Sequence, residues 1–182
     1  MRANEADILI IPGLGNSGPD HWQSRWEAKL PTARRIIQKD WERPQLEDWR
    51  KRIVAEVAAA EKPVVLVAHS LGAVAVAHAA AELEGKVRGA FLVAPPSPRI
   101  IAGLDPIDPD FADIPMAPLP FPAVLVASHD DTYAHYAETE ELARAWRAEI
   151  ADAGASGHIN AESGHGPWPE GLMRFVGFLK KL

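Results

Sequence analysis

The feature that most constrains the fold is a continuous apolar run at residues 63–68, with the sequence PVVLVA. An uninterrupted run of this length is typical of a parallel strand that is buried on both faces. Residues 71–83 follow almost at once and are rich in alanine, which favours a helix that ends near Gly85. Because parallel strands need helical crossovers to connect them, the chain is predicted to be an α/β protein.

The same alternation of strand and helix patterns recurs along the rest of the chain. Further strands are predicted at residues 7–11, 33–38, 87–94, 123–127 and 149–153, and further helices after residues 19–20 and over residues 46–57 and 138–147. A closing helix has Leu172, Phe175, Val176 and Leu179 on one predicted apolar side. These elements predict a three-layer α/β/α sandwich with a mostly parallel sheet, and residues 1–182 are expected to form a single domain.

Residues 95–122 form the one irregular stretch, with a proline every few residues. Proline removes a backbone donor and disfavours both helices and central strands, so this stretch is predicted to run over the surface. The preferred interpretation is a plain connector between two strands. The alternative is that it forms a wall of a substrate pocket.

The overall charge and the lack of cysteine exclude several classes of function. A formal net charge of −6 disfavours nucleic-acid binding, since that requires a concentrated positive field. Without cysteine the chain can form no disulfide framework, zinc knuckle or thiol nucleophile. The apolar run at residues 8–11 is too short for a signal peptide or a membrane span, so a cytoplasmic protein without membrane attachment is expected.

Residues 68–72, with the sequence AHSLG, lie between the most apolar strand and a strong helix pattern. This is the setting of a nucleophile elbow, in which a serine occupies a strained turn between a strand and a helix. The elbow needs small residues two positions before and after the serine, and Ala68 and Gly72 meet that requirement. Ser70 is therefore the predicted nucleophile, and a serine that merely caps the helix is the alternative.

A serine nucleophile needs an imidazole base and a carboxylate that orients the imidazole. In α/β-hydrolases the acid and then the histidine follow the serine, each in a loop after a later strand. Asp130 and Asp131 follow the strand at residues 123–127, and His158 and His165 follow the last strand. Asp131 and His158 are preferred, whereas Asp130 and His165 stay open as alternatives or as site-lining residues.

The oxyanion that forms during acyl transfer needs backbone donors close to the serine. The amide of Leu71 is one candidate because it begins the helix after the serine, and the amide of Leu14, after the first strand, is the other. His21 and Trp22 follow that loop and His69 precedes the serine, so all three are possible site-lining residues. Packing in the core is the preferred role of Trp22.

Two rival interpretations do not use the elbow serine as a nucleophile. Residues 13–18 read GLGNSG, which matches the glycine pattern of dinucleotide-binding folds, and Asp40 stands beyond the second strand as such a site requires. In that fold the helix begins inside the motif, whereas Pro19 predicts a later start, so an oxidoreductase using Gly13 to Gly18 is disfavoured. The other rival is a binding module that has lost its chemistry.

A metal site is a further possibility for the segment after the strand at residues 123–127. Imidazoles and carboxylates of the kind that bind metals occur together there, at His129, Asp130, Asp131 and His135. No helical pairing of histidines supports such a site, so neither a metal nor any other cofactor is expected.

Taken together, the motifs resemble the small serine hydrolases related to retinoblastoma-binding-protein-type hydrolases, in their bacterial branch. The resemblance covers nearly the whole chain. It rests on residues 11–13 with His21 and Trp22 downstream, on residues 68–72 and 128–131, and on residues 157–160 followed by residues 163–166. It implies a compact hydrolase without a large cap domain or cofactor, and it matches nucleophile, acid and base to Ser70, Asp131 and His158. The implied reaction is acyl transfer from a small ester or amide to water through an acyl-enzyme.

Overall fold

Six strands form one parallel sheet at the centre of the molecule. The computed structural model describes residues 1–182. The strands are β1 (Asp7–Ile11), β2 (Ala33–Arg35), β3 (Val64–His69), β4 (Val87–Val93), β5 (Ala123–Ala127) and β6 (Glu149–Asp152). They lie in the order β2-β1-β3-β4-β5-β6, and every neighbouring pair is parallel, which confirms the predicted sheet. The loops after the strands therefore converge at the carboxyl edge of the sheet, where α/β proteins bind ligands.

Helices connect the strands and cover both faces of the sheet. They are α1 (Trp22–Lys29), α2 (Leu46–Ala58), α3 (Leu71–Ala79), α4 (Pro98–Ala102), α5 (Tyr136–Trp146) and α6 (Pro169–Leu179), with 3-10 turns at Ala3–Glu5, Ala80–Leu83 and Pro109–Ala112. None of the helices is long and apolar enough to cross a membrane. No large cap domain is inserted above the sheet, because only α4 and one 3-10 turn interrupt the stretch between β4 and β5.

The core has two layers, one on each side of the sheet, and β3 contributes to both. Leu66 and Ala68 belong to the apolar cluster formed with α2, α3 and α5. Val65 and Val67 point the other way and join the cluster formed with α1 and α6. All four side chains are fully buried, which is the environment that a continuous apolar strand requires. The three-layer α/β/α architecture is confirmed.

Three details differ from the predicted elements. β2 ends at Arg35 and not at residue 38, because it is an edge strand that pairs only with β1. The alanine-rich helix ends as α3 at Ala79 and is continued by a 3-10 turn. The predicted apolar side of α6 is wrong at Val176, which is 42% exposed. Phe178 is buried in its place, because it shares a face with Phe175 at helical spacing.

Candidate active site

The turn between β3 and α3 holds Ser70 in a strained backbone conformation. Its φ of 54° and ψ of −128° lie in a region that residues with a side chain seldom adopt. The Ser70 amide donates to the carbonyl of Val93 at 2.9 Å, which fixes the turn against β4. A Cβ atom on Gly72 would lie 2.5 Å from the carbonyl oxygens of Ile11 and Pro12, so glycine is needed for α3 to begin this close to β1.

Ser70, His158 and Asp131 form a continuous chain of hydrogen-bonded side chains. His158 Nε2 lies 2.9 Å from Ser70 Oγ, and His158 Nδ1 lies 3.0 Å from both carboxylate oxygens of Asp131. An ionised carboxylate can only accept, so Nδ1 carries the hydrogen and Nε2 is free to accept the hydroxyl proton. The side chains of His158 and Asp131 are only 10% and 4% exposed, so water competes little for these bonds.

The alternative acid and base of the sequence analysis have other partners. Asp130 Oδ1 accepts from the amide of Gly157 at 2.7 Å and from the hydroxyl of Ser128 at 2.8 Å, and these bonds lower the pKa of Asp130. His165 Nδ1 lies 3.2 Å from the hydroxyl of Ser163. Both side chains therefore support the chain around the site histidine, and neither is bonded to the elbow serine.

Leu14 and Leu71, whose amides are the predicted oxyanion donors, both line the cleft that opens at the serine. Neither amide is used by the hydrogen bonds of turns and loops, and Leu71 is the first residue of α3, where an amide has no acceptor within the helix. A Cβ atom on Gly13 would lie 2.8 Å from Ser70 Cβ and 3.2 Å from the Leu71 nitrogen, so the loop after β1 rests against the elbow. The two predicted oxyanion donors thus lie in one cleft with the serine.

His21 and His69 are neutral imidazoles that pack beside His158. The ring of His69 lies 4.9 Å, between centroids, from the rings of both other histidines. Burial, assisted by the positive charge of Arg35, lowers the pKa of His21 to about 4, and burial lowers the pKa of His69 well below its ordinary range. His21 Nδ1 also accepts from the amide of Gln23 at 3.1 Å, so it caps α1. Both predicted lining residues therefore lie at the site in uncharged form.

A cleft of about 320 Å³ opens at Ser70, and the proline-rich stretch at residues 95–122 forms one of its walls. The stretch contributes four apolar side chains, those of Pro96, Ile101, Leu104 and Ile107. Its interpretation as a plain connector is therefore wrong, and the alternative of a pocket wall is correct. Leu104 and Ile107 lie beyond the end of α4 at Ala102, so no helical pattern in the sequence places these aliphatic side chains on one face.

Two other residues at the cleft, Tyr133 and Glu162, belong to none of the sequence motifs, whereas Asn160 belongs to the motif at residues 157–160. The ring of Tyr133 lies 4.4 Å from that of His158 and lines the cleft, as do Asn160 and Glu162. Trp22 does not line the cleft but is fully buried, in the packing role preferred for it.

The glycine-rich loop after β1 is held as a structural turn. The guanidinium of Arg35 donates to Asn16 Oδ1 at 2.7 Å and to the carbonyl of Ser17 at 2.8 Å. These two polar groups of the loop are therefore bonded within the protein. The helix begins only at Trp22, beyond the glycine motif, so its free amides are not within the motif. Asp40, the candidate ribose ligand, instead accepts from two backbone amides of its own turn. These contacts give the dinucleotide interpretation no support.

The residues considered for a metal site are separated by their own bonds. His129 Nε2 lies 2.9 Å from Asp152 Oδ2, and this bond is the main reason that the pKa of Asp152 is lowered. Asp131 faces His158, while Asp130 bonds to backbone and hydroxyl donors. The structure contains no group of three or more histidine and carboxylate residues arranged to hold a metal ion.

A parallel sheet with a strained serine turn after β3, and with a histidine and a carboxylate in the loops after later strands, defines an α/β-hydrolase. The chain belongs to the serine hydrolase family, whose sequence pattern matches residues 8–176. This confirms the resemblance to small bacterial serine hydrolases that the motifs indicate. No curated protein matches the chain.

Solved structures with the same fold include proteins at both higher and lower sequence identity. A protein described as a YdeN-like hydrolase from Pectobacterium atrosepticum is similar to this chain at 36% identity and a TM-score of 0.87, with 97% of this chain and 91% of that one covered. The ydeN gene product of B. subtilis is similar at 22% identity and a TM-score of 0.77, over 97% of this chain and 99% of that one. The esterase domain of a Rhodothermus marinus protein shares the fold at 17% identity and a TM-score of 0.70, with 92% of this chain and 84% of that one covered.

Proposed function

We propose that this serine hydrolase is a carboxylesterase that acts on a small ester through an acyl-enzyme on Ser70. The observation that carries the proposal is the unbroken hydrogen-bonded chain from Ser70 through His158 to Asp131. A serine hydroxyl is a weak nucleophile by itself, and this arrangement supplies both the base and the group that orients it. Amide substrates fit the same chemistry and are the second possibility.

The reaction has two steps, the formation of the acyl-enzyme and its hydrolysis. First, Ser70 Oγ bonds to the ester carbonyl carbon while His158 Nε2 takes the hydroxyl proton; the alcohol then leaves with that proton as its C–O bond breaks. A water molecule next gives its proton to His158 and attacks the acyl-enzyme, which releases the acid and returns the proton to Ser70. The amides of Leu14 and Leu71 stabilise the negative oxygen in both steps, while Asp131 keeps the imidazole in one tautomer.

The cleft supports a substrate with one compact apolar group. Its volume of about 320 Å³ is at the small end of ligand sites. Ile101, Leu104 and Ile107 present an apolar surface, while Asn160 and Glu162 supply polar groups elsewhere in the lining. An uncharged ester of modest size with an apolar acyl or alcohol part therefore suits this cleft better than a polymer or a highly charged compound.

The decisive test is covalent labelling with a fluorophosphonate probe, combined with hydrolysis of p-nitrophenyl acetate. Wild-type protein is expected to be labelled at Ser70, as located by peptide mapping, and Ser70→Ala is expected to lose labelling and at least about 1000-fold of kcat. Ser97→Ala is the control, because the hydroxyl of Ser97 is buried and has no hydrogen-bond partner. It should be labelled and turn over like the wild type.

Each result has a clear meaning for the proposal. If the folded wild-type protein is neither labelled nor active, the esterase proposal fails and the binding module that has lost its chemistry takes its place. Activity that survives in Ser70→Ala would show that another group carries the reaction. A panel of p-nitrophenyl esters and anilides would then separate ester from amide preference in the active protein.

A further inference from the structure

The loop that carries His158 has a left-handed backbone conformation on both sides of the histidine. We call residues 157–160 the base loop. Gly157 has a φ of 54° and Ile159 a φ of 48°, both in the left-handed region. A branched side chain such as that of Ile159 strongly disfavours this region, so the sequence of the loop alone does not select this conformation. Something outside the loop must hold it.

Three side chains from distant parts of the chain bond to three successive residues of the base loop. Asp130 Oδ1 accepts from the amide of Gly157 at 2.7 Å. His69 Nε2 lies 2.9 Å from the carbonyl oxygen of His158, and Trp22 Nε1 donates to the carbonyl of Ile159 at 2.9 Å. A carbonyl oxygen can only accept, so His69 must carry its hydrogen on Nε2. The loop is therefore fixed by the acid loop, by the end of β3 and by α1.

His69 has the most direct influence on the reacting atoms among these three side chains. It is the residue immediately before Ser70, and its bond is to the backbone of His158 itself. It is 5% exposed, and its ring packs against those of His21 and His158 at 4.9 Å. Elbow and base loop are therefore connected by one short, rigid side chain in addition to the bond between their reacting groups.

We propose that His69 is a positioning residue: its Nε2–H holds the carbonyl of His158 and thereby fixes the distance between the His158 ring and the Ser70 hydroxyl. The proposal rests on the proposed function, in which His158 is the base. Reacting groups that are misplaced by about 1 Å lose on the order of 100-fold in rate, so a single bond at this point has a large effect on catalysis. The residue directly before the proposed nucleophile then has a defined task in this chain.

Two substitutions separate the hydrogen bond from the packing. In His69→Gln the amide nitrogen stands as many bonds from the backbone as His69 Nε2 does, so it can donate to the same carbonyl; His69→Met has a similar length and no donor. We expect His69→Met to lower kcat and the rate of fluorophosphonate labelling by roughly 10–100-fold with KM little changed, and His69→Gln to stay within about fivefold of wild type. A purely structural role would not produce this rescue by glutamine or this division between kcat and KM.

A second pair of variants keeps the test decisive if His69→Met does not fold. Trp22→Phe removes the donor to Ile159, and Trp146→Phe is its matched control, because Trp146 is equally buried and donates to the carbonyl of Pro115 at 2.8 Å on the other side of the sheet. We expect Trp22→Phe to lower the labelling rate about three- to tenfold and Trp146→Phe to leave it unchanged. Equal rates in the two tryptophan variants would contradict the importance of the bonds to the base loop.

Failure of this inference differs from failure of the proposed function. Labelling of wild type and of a folded His69→Met at the same rate would overturn the role of His69 and leave the esterase intact, as would a His69→Gln that is as damaged as His69→Met. A folded wild type that cannot be labelled at all would overturn both.

Discussion

The elbow at residues 68–72 and the base loop at residues 157–160 both contain residues at positive φ, but they are held in different ways. In the elbow, a buried strand ends directly before Ser70 and a helix begins directly after it. In the base loop, three successive residues, Gly157, His158 and Ile159, are held by side chains from the loop after β5, from β3 and from α1. The geometry of the serine is thus encoded in contiguous residues, whereas that of the histidine depends on contacts between distant ones.

This difference has a physical consequence for mutations. The elbow is part of the packing between β1, β3 and α3, so a change in its small residues must affect stability as well as activity. Three residues of the base loop are each held by a single side-chain hydrogen bond, and one such bond contributes little to the total stability. Loss of one such bond should therefore reduce activity more than it reduces stability.

The largest expected effect is at Asp131, the proposed acid of the site. Asp131→Asn should lower kcat by roughly 1000–10,000-fold with little change in melting temperature, because an amide at this position favours the wrong tautomer of His158. Steady-state hydrolysis of p-nitrophenyl acetate measures it. Asp130→Asn is the matched control and should stay within about tenfold of wild type, because an asparagine oxygen can still accept from the amide of Gly157. The opposite ranking would make Asp130 the acid.

The next effect is on the stability of the elbow. Gly72→Ala should destabilise the protein by about 3 kcal/mol, since its Cβ atom would lie 2.5 Å from two backbone carbonyl oxygens that cannot easily move. Urea denaturation measures the loss. Gly177→Ala in α6 is the control, because no atom lies within 4 Å of the added methyl group; it should be neutral or stabilising by up to about 1 kcal/mol. Equal stability of the two variants would show that the elbow is not tightly packed.

The smallest expected effect is the change in stability with pH that the buried His21 causes. The pKa of His21 is lowered from 6.5 to about 4, so below pH 6.5 the unfolded chain binds a proton that the folded chain does not accept until about pH 4. The contribution of a neutral His21 is thus complete above pH 6.5 and is lost as the pH falls, with about 2 kcal/mol gone at pH 5. Stability measured by urea denaturation at pH 8 and pH 5 tests it.

The pH test uses matched substitutions of two histidines, each of which directly precedes a helix. His21→Asn retains a side chain that can cap α1 but no longer titrates, so the loss of stability between pH 8 and pH 5 should become smaller. His135→Asn changes an exposed histidine before α5 and should leave the pH dependence as in the wild type. If His21→Asn keeps the full wild-type dependence, burial of His21 does not cause it.

Much of the fold and some of the site could be predicted because the signals are local. The apolar run of β3, the small residues around Ser70 and the order of acid and histidine loops are all properties of short segments. The wall at residues 95–122 could not be predicted because prolines dominate its composition, while the shared face of Ile101, Leu104 and Ile107 forms only when the stretch folds over the cleft. Tyr133 could not be predicted at the site either, because its contact with His158 joins two loops that are far apart in sequence.

The sequence by itself determined the class of this protein, because strand and helix periodicity and the small residues of the elbow act over a few neighbouring positions. Only the tertiary structure decided which carboxylate faces His158 and which bonds to the amide of Gly157, since Asp130 and Asp131 are adjacent and chemically identical. It also decided that His69 holds the carbonyl of His158. Both outcomes depend on directions of side chains across loops that are far apart in sequence, and such directions are set by packing and not by local pattern.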